Sequence, residues 1–385
     1  MTPSAAAATR RSGFDHDLAI VGASFAGLAC ARSAARRGLS VVALERQAWA
    51  GKTIHTTGLL VKEAAERWEV PTRLTRRIRG VRLYAPSLAH IDLAAPGYYF
   101  LATNTPALMR WLADEALRAG ARLRYGCMFR AARQVGGGLA LADGGPRVRY
   151  LVGADGAHSS VARAFGLAHN RAFLLGVEAE YEGIGGIDPD RLHCFIDSTL
   201  APGYIGWVVP GVDGMAQIGL ASRWPHAPDL RAFERKIAPL FDWSKARRVA
   251  RRGGRIPVGG RLARFACDRV LLVGDAAGIV SPLTAGGIHT ALDSGSRAAH
   301  AIADFLEADG PDPAQAVASG YPRFVWKRAL RRIADLPLPN WLFNAILGTA
   351  ALRHMASAIY FHRRGEDPEV LADTQDEGEN RRSPG

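Results

Sequence analysis

The chain has 385 residues, 48% of them apolar, and a formal net charge of +13 from 49 Lys and Arg against 36 Asp and Glu, enough for two domains or one large composite one. The basic balance points to anionic partners, but no basic stripe interleaved with aromatics is present, which argues against nucleic acid. Cys30, Cys127, Cys194 and Cys267 lie far apart without a CxxC, which excludes a zinc ribbon or disulfide framework and fits a reducing, cytoplasmic compartment, and no apolar run of about 18 residues is available to span a membrane.

Residues 1–14 hold small residues and two arginines without a leucine-rich core and predict a disordered tail rather than a signal peptide. Next comes DLAIVGASFAGLACARSAARRGLSVVALER, Asp17 to Arg46. Leu18–Val21 suits a buried parallel strand, the segment after Gly27 an alanine-rich helix to about Arg37, and the run ending at Glu45 a second strand. This is a βαβ dinucleotide fingerprint with Ser24 in place of the middle glycine. Gly22 makes the tight turn and Gly27 lets helix and strand pack closely. The helix N-terminus, with Ser24, Phe25 and Ala26 in its first turn, offers free amides to a pyrophosphate. Glu45, 18 residues after Gly27, can accept ribose hydroxyls and would repel the 2′-phosphate of NADP.

GKTIHTTGLLVKEAAERW (51–68) follows directly, then strands broken by turns up to residue 99. A helix predicted from TNTPALMRWLADEALRAGA leads to a strand that ends in Ala-Asp155-Gly156 and a serine-rich helix start. Residues 172–221 alternate apolar and polar over short runs, as antiparallel strands do. RVLLVGDAAGIVSPLTAGGIHTAL (269–292) sends another apolar strand into Gly274-Asp275 and a glycine-rich helix start. The C-terminal segment LPLPNWLFNAILGTAALRHMASAIYFHRR is the most apolar region, either a helix packed on the domain or an interfacial helix. The tail 364–385 is polar and predicted disordered.

Three ordered anchors, GxSxxG, DG and GD, resemble the glutathione-reductase-type FAD-binding fold in its aromatic-hydroxylase branch, over roughly residues 17–305. The resemblance implies an α/β architecture: a Rossmann-like FAD-binding domain built from 15–62, 100–170 and 262–320, an inserted antiparallel-sheet substrate domain from 63–99 and 171–261, and a helical region at 321–363. It implies that Asp275 holds the flavin's ribityl chain and that Gly274, Gly286, Gly287 and Ile288 bring backbone amides to the ring edge. Arg46 and Phe129 complete the expected cofactor contacts. Asp155 supports FAD in that family, but capping its own helix is an equal alternative. The family's arginine before the DG strand is replaced by Thr105, with Arg110 as an alternative contact.

GDAAG, the Gly-Ile pair and GYIGWVVPGVDGMAQIGLA are similar to the geranylgeranyl reductase branch. There the Gly-Trp-x-x-Pro strand lines a prenyl pocket, which implies substrate contacts for Tyr204, Trp207 and Pro210, with core packing as the alternative for Trp207. The implied reaction is hydride delivery to an isoprenoid double bond, with protonation of the other carbon by an acid or water. The acid is not named by the sequence; His55 and His289 are the candidate catalytic residues, and Lys52 and Thr57 further candidates near the ring. Only one dinucleotide fingerprint exists, so NAD(P)H would visit transiently or a protein donor would replace it. No metal is expected. An apolar small molecule or lipid is the expected substrate, with peripheral contact with an anionic inner membrane as a further expectation. The alternatives are an FAD-dependent monooxygenase, a flavin halogenase and a flavin-binding protein without turnover.

Overall fold

A computed structural model describes residues 13–308 and 310–361. The predicted tails therefore lie outside the described residues, apart from Gly13 and Phe14. The first strand, His16–Val21, has Leu18, Ala19 and Ile20 fully buried. It sits at the centre of a parallel sheet, flanked by Arg147–Gly153 on one side and Val41–Glu45 on the other. Val270–Leu272 extends the sheet beyond Arg147–Gly153, and Arg122–Tyr125 extends it beyond Val41–Glu45. All three sequence anchors thus leave the carboxyl ends of adjacent parallel strands, where doubly wound sheets bind ligands.

Two helices cover the site side of this sheet, Phe25–Arg36 and Ile288–Ala308. Their crossing is close because small residues meet. A Cβ added at Gly295 would lie 2.1 Å from the Ala26 carbonyl oxygen, and Ser33 and Ser296 share a 3.0 Å hydrogen bond. The first helix in turn presses on its strand at Gly27, where a Cβ would lie 1.8 Å from the Gly22 oxygen.

The second sheet has seven strands, in the order Arg247–Pro257, Phe173–Glu182, Met215–Arg223, Gly206–Pro210, Arg191–Phe195, Gly80–Tyr84, His90–Ala94. It is antiparallel except where Arg191–Phe195 runs parallel to Gly80–Tyr84, a pairing between distant segments that local alternation does not reveal. One register row crosses the whole sheet: Arg252, Glu178, Gly219, Trp207, Cys194, Leu83, Ile91. One face packs on the helix Leu230–Ile237 through Phe195, Val208, Leu220 and Phe233. The other packs Leu83, Leu192, Cys194 and Val209 against Leu347, Leu352 and Phe361 of the C-terminal region. A small sheet of Leu59–Val61, Phe100–Thr103 and Thr75–Ile78 joins the two large ones.

Three short helices, Val325–Ala334, Asn340–Ile346 and Ala350–Tyr360, form the C-terminal region. No helix among the described residues is long and apolar enough to cross a membrane.

Candidate functional site

A cavity of about 1070 Å³ lies between the parallel sheet, the seven-stranded sheet and the C-terminal helices. It exceeds the roughly 300–1,000 Å³ of pockets that hold one small molecule. Its walls collect most of the predicted residues: Gly22, Ser24, Phe25, Ala26, Glu45, Arg46, Phe129, Asp155, Gly156, Asp275, Gly286, Gly287 and Ile288, together with Lys52, His55, Thr57, Tyr204, Trp207 and His289. Gly27, Gly274 and Pro210 are not on the walls. Gly27 acts in helix–strand packing. Gly274 has φ 56° and abuts Ala26. Pro210 is buried at the end of its strand, so its expected substrate contact is dropped.

The glycine turn is built for close approach. Gly22 has φ 98°, and a Cβ there would lie 2.4 Å from the Ala154 oxygen. Ser24 caps the helix Phe25–Arg36 with backbone geometry alone, and its exposed hydroxyl makes no capping bond. Ser24, Phe25 and Ala26 therefore line the cavity at the positive end of the helix. The Glu45 carboxylate accepts from the Ala23 amide and the Gln47 amide, each at 2.8 Å. A carboxylate has about four acceptor sites, so hydroxyls can still be received. Ser24→Gly should keep cofactor binding and Ser24→Val should abolish it by bulk at the turn. Flavin absorbance of the purified variants checks this.

Asp275 lies in the short turn Gly274–Ala277 that follows the strand Val270–Leu272. Its carboxyl meets the cavity but is surrounded by protein, and this burial pushes its pKa up to about 6. No guanidinium or ammonium contributes to that shift. A carboxylate so placed suits neutral hydroxyl donors from a ligand. Asp155 differs. It accepts from the Ser159 hydroxyl, the Ser160 amide and the Ser160 hydroxyl at 2.6 Å, and from the Val161 amide at 3.2 Å. Those bonds make it a cap of the helix Ser160–Ala164, one of the two roles expected of it, and it also lies on the cavity wall. The arginine substitutes are also corrected: Thr105 is buried against Thr103, and Arg110 is exposed and off the cavity wall.

The roof carries a polar cluster that sequence reading missed. Glu178 is 4% exposed. It accepts from the Thr57 hydroxyl at 2.6 Å, the Trp207 indole Nε1 at 2.6 Å and Arg252 Nε at 2.7 Å. The register row explains the contact: Glu178 and Trp207 flank Gly219 on either side. A Cβ at Gly219 would lie 2.6 Å from the indole, so the missing side chain lets the ring cross the strand to reach Glu178. The Tyr204 hydroxyl donates to the Thr284 carbonyl at 2.5 Å, tying the roof to the loop before Ile288.

Three histidines line the cavity, His55, His158 and His289. His55 Nδ1 lies 3.2 Å from the Gly253 carbonyl, which fixes Nδ1 as the protonated nitrogen. Burial, with the Arg255 and Arg163 guanidiniums, lowers the pKa of His158, a neutral ring stacked on Phe173. Away from this polar end the walls turn apolar: Leu83, Leu192, Cys194 and Val209 from the sheet, and Leu330, Ile333, Phe343, Ile346, Met355 and Ile359 from the C-terminal helices. The apolar pattern of those helices was visible in the sequence, but not that they wall the same cavity.

A family model described as "FAD binding domain" matches residues 15–314. Digeranylgeranylglycerophospholipid reductase 2 of Methanopyrus kandleri is 32% identical over 322 residues, 77% of this chain and 78% of that protein. The protein of the same name from Methanothermobacter thermautotrophicus is 30% identical over 309 residues, 77% and 80% of the two chains. Among solved structures, a geranylgeranyl bacteriochlorophyll reductase-like protein from Thermoplasma acidophilum aligns with TM-score 0.79 at 22% identity, over 94% of this chain and 98% of that one. A probable FAD-dependent monooxygenase from Pseudomonas aeruginosa aligns with TM-score 0.63 at 20% identity, over 87% and 100%.

Proposed function

This chain belongs to the FAD-binding-domain family, in its digeranylgeranylglycerophospholipid reductase branch, and on that premise we propose that it saturates carbon–carbon double bonds of an isoprenoid chain borne by a lipid or quinone. It is an FAD-dependent oxidoreductase. The observation that carries the isoprenoid reading is the continuity of one cavity from the dinucleotide turn to an apolar chamber walled by the C-terminal helices. A hydroxylase of a small aromatic needs no such chamber. The fold alone does not separate the two chemistries. Turnover of a geranylgeranyl lipid under nitrogen, with a chemical reductant, tests the reading. The expected result is full activity without oxygen, and an absolute requirement for oxygen contradicts it.

The residues present fit FAD. The helix N-terminus at Ser24 would take the pyrophosphate, Glu45 the adenosine ribose, Asp275 the ribityl hydroxyls, and Gly286 and Gly287 the ring edge. Bound there, FAD supplies hydride for the reduction. The protein's own part is to orient and protonate. Glu178, held by Arg252, pins the indole of Trp207 by its N–H, so the ring presents a rigid apolar face to a chain. The apolar chamber excludes water from the bond to be reduced. His55 lines the cavity with Nδ1 donating to the Gly253 carbonyl, and it would deliver a proton from Nε2 to the substrate carbon as the imidazolium, with both ring nitrogens protonated, returning to the Nδ1–H tautomer. His55→Gln should keep FAD but lower the rate of double-bond reduction by roughly 10²–10⁴. An unchanged rate would move the role to His289 or water.

Electrons would come from NAD(P)H binding transiently or from a protein donor, since a second dinucleotide fingerprint is absent from the sequence. The net charge of +13 and the apolar C-terminal helices favour peripheral contact with an anionic membrane.

A further inference from the structure

We propose that the rim formed by the helices Val325–Ala334, Asn340–Ile346 and Ala350–Tyr360 docks onto an anionic lipid bilayer, so that a prenyl chain enters the cavity without crossing water. This rests on the isoprenoid reading and assigns it a docking surface and a route of entry.

Ile333, Leu336 and Met355 line the cavity, yet are 54%, 55% and 46% exposed. Side chains that do both mark an opening, and this opening is apolar. Trp341 and Val325, at 68% and 71%, lie on the same helices outside the cavity wall. Core packing does not account for these outward residues, because the inner faces are anchored separately. Buried Arg331 donates to the Gly203 carbonyl and pairs with Asp335. The Asn340 side chain accepts from the Ser198 amide at 2.8 Å, and that of Asn344 from the Ser87 amide at 2.9 Å.

Charge selects the occupant. Between residues 321 and 361 stand Arg323, Lys327, Arg328, Arg331, Arg332 and Arg353 against a single acid, Asp335, which Arg331 already holds. A second copy of a chain with net charge +13 would meet like charge, whereas an anionic bilayer is complementary. Helices of 10, 7 and 11 residues cannot cross a hydrocarbon core of about 30 Å. Tryptophan and exposed aliphatics beside arginines are what an interfacial surface requires.

The test uses the FAD-loaded full chain and vesicles of phosphatidylcholine, with or without phosphatidylglycerol. Val325→Glu/Trp341→Glu and Arg328→Glu/Arg332→Glu change residues off the cavity wall. Each pair should cut recovery with anionic vesicles by about tenfold or more, as should raising salt for the wild type. Both should keep FAD and reduce a detergent-dispersed geranylgeranyl lipid at the wild-type rate. Wild-type flotation of both variants, or equal wild-type recovery with neutral and anionic vesicles, overturns the proposal. So does a wild-type oligomer that the substitutions dissolve, since the patch is then an interface between copies. A wild-type protein that floats but cannot reduce the dispersed lipid leaves docking intact and sinks the isoprenoid reading.

Discussion

Replacing Asp275 with alanine is expected to strip most of the flavin. The carboxylate sits in the turn Gly274–Ala277 with no cationic partner contributing to its shift, so its worth lies in accepting hydroxyls from the bound cofactor. A hydrogen bond to a charged group contributes about 1.5–3 kcal/mol, so the dissociation constant should rise roughly 10- to 150-fold. Stability should move the other way. Burial raises the Asp275 pKa from 3.8 to about 6, so the folded protein freed of FAD holds this proton more tightly than the unfolded chain. The resulting stabilisation is full below pH 3.8 and is lost as pH rises through about 6. At neutral pH, ionising the group costs on the order of 3 kcal/mol. Asp275→Asn should therefore make apoprotein more stable at pH 7 while weakening FAD binding. Calorimetry of apoprotein between pH 4 and 7, with flavin titration, checks both signs. An asparagine variant that binds FAD as the wild type does would move the ribityl contact elsewhere.

Trp207→Ala should lower both turnover and stability, and the two losses can be separated. The indole packs over Gly219 and donates to Glu178, so truncation leaves a void costing roughly 3–5 kcal/mol. It also removes the wall beside which a long chain lies. Trp207→Phe keeps an apolar ring, loses the N–H bond and part of the ring's volume over Gly219, and leaves Glu178 with Thr57 and Arg252. Turnover of a long-chain substrate should fall steeply in the alanine variant, even in the fraction that stays folded, and only modestly in phenylalanine. A folded alanine variant with normal turnover would make Trp207 a packing residue.

What could be read in the sequence was local in the chain. The turn at Gly22, the acid at Glu45 and the Gly274-Asp275 corner each stand at or just past the end of a strand, so spacing alone announces them. The cluster around Glu178 could not be read that way. Arg252, Glu178, Gly219 and Trp207 come together only through the register of four strands, and an acid in FLLGVEAEYE has no local mark that separates it from Glu180 or Glu182. Asp155 and Pro210 are the converse case. Both stand in motifs that resemble a site, but one is held by its own helix start and the other is buried at a strand end. The C-terminal helices were legible as apolar and opaque as to partner, because amphipathic pattern says that a face is buried and not against what.

Mass spectrometry of the product tests the central claim most directly. The FAD-loaded protein is reduced under nitrogen, given a geranylgeranyl lipid, and the lipid recovered. Saturation in ordinary water adds about two mass units per double bond, and this is the result expected. A product heavier by about sixteen units, formed only when air is admitted, would contradict it and make the protein a monooxygenase.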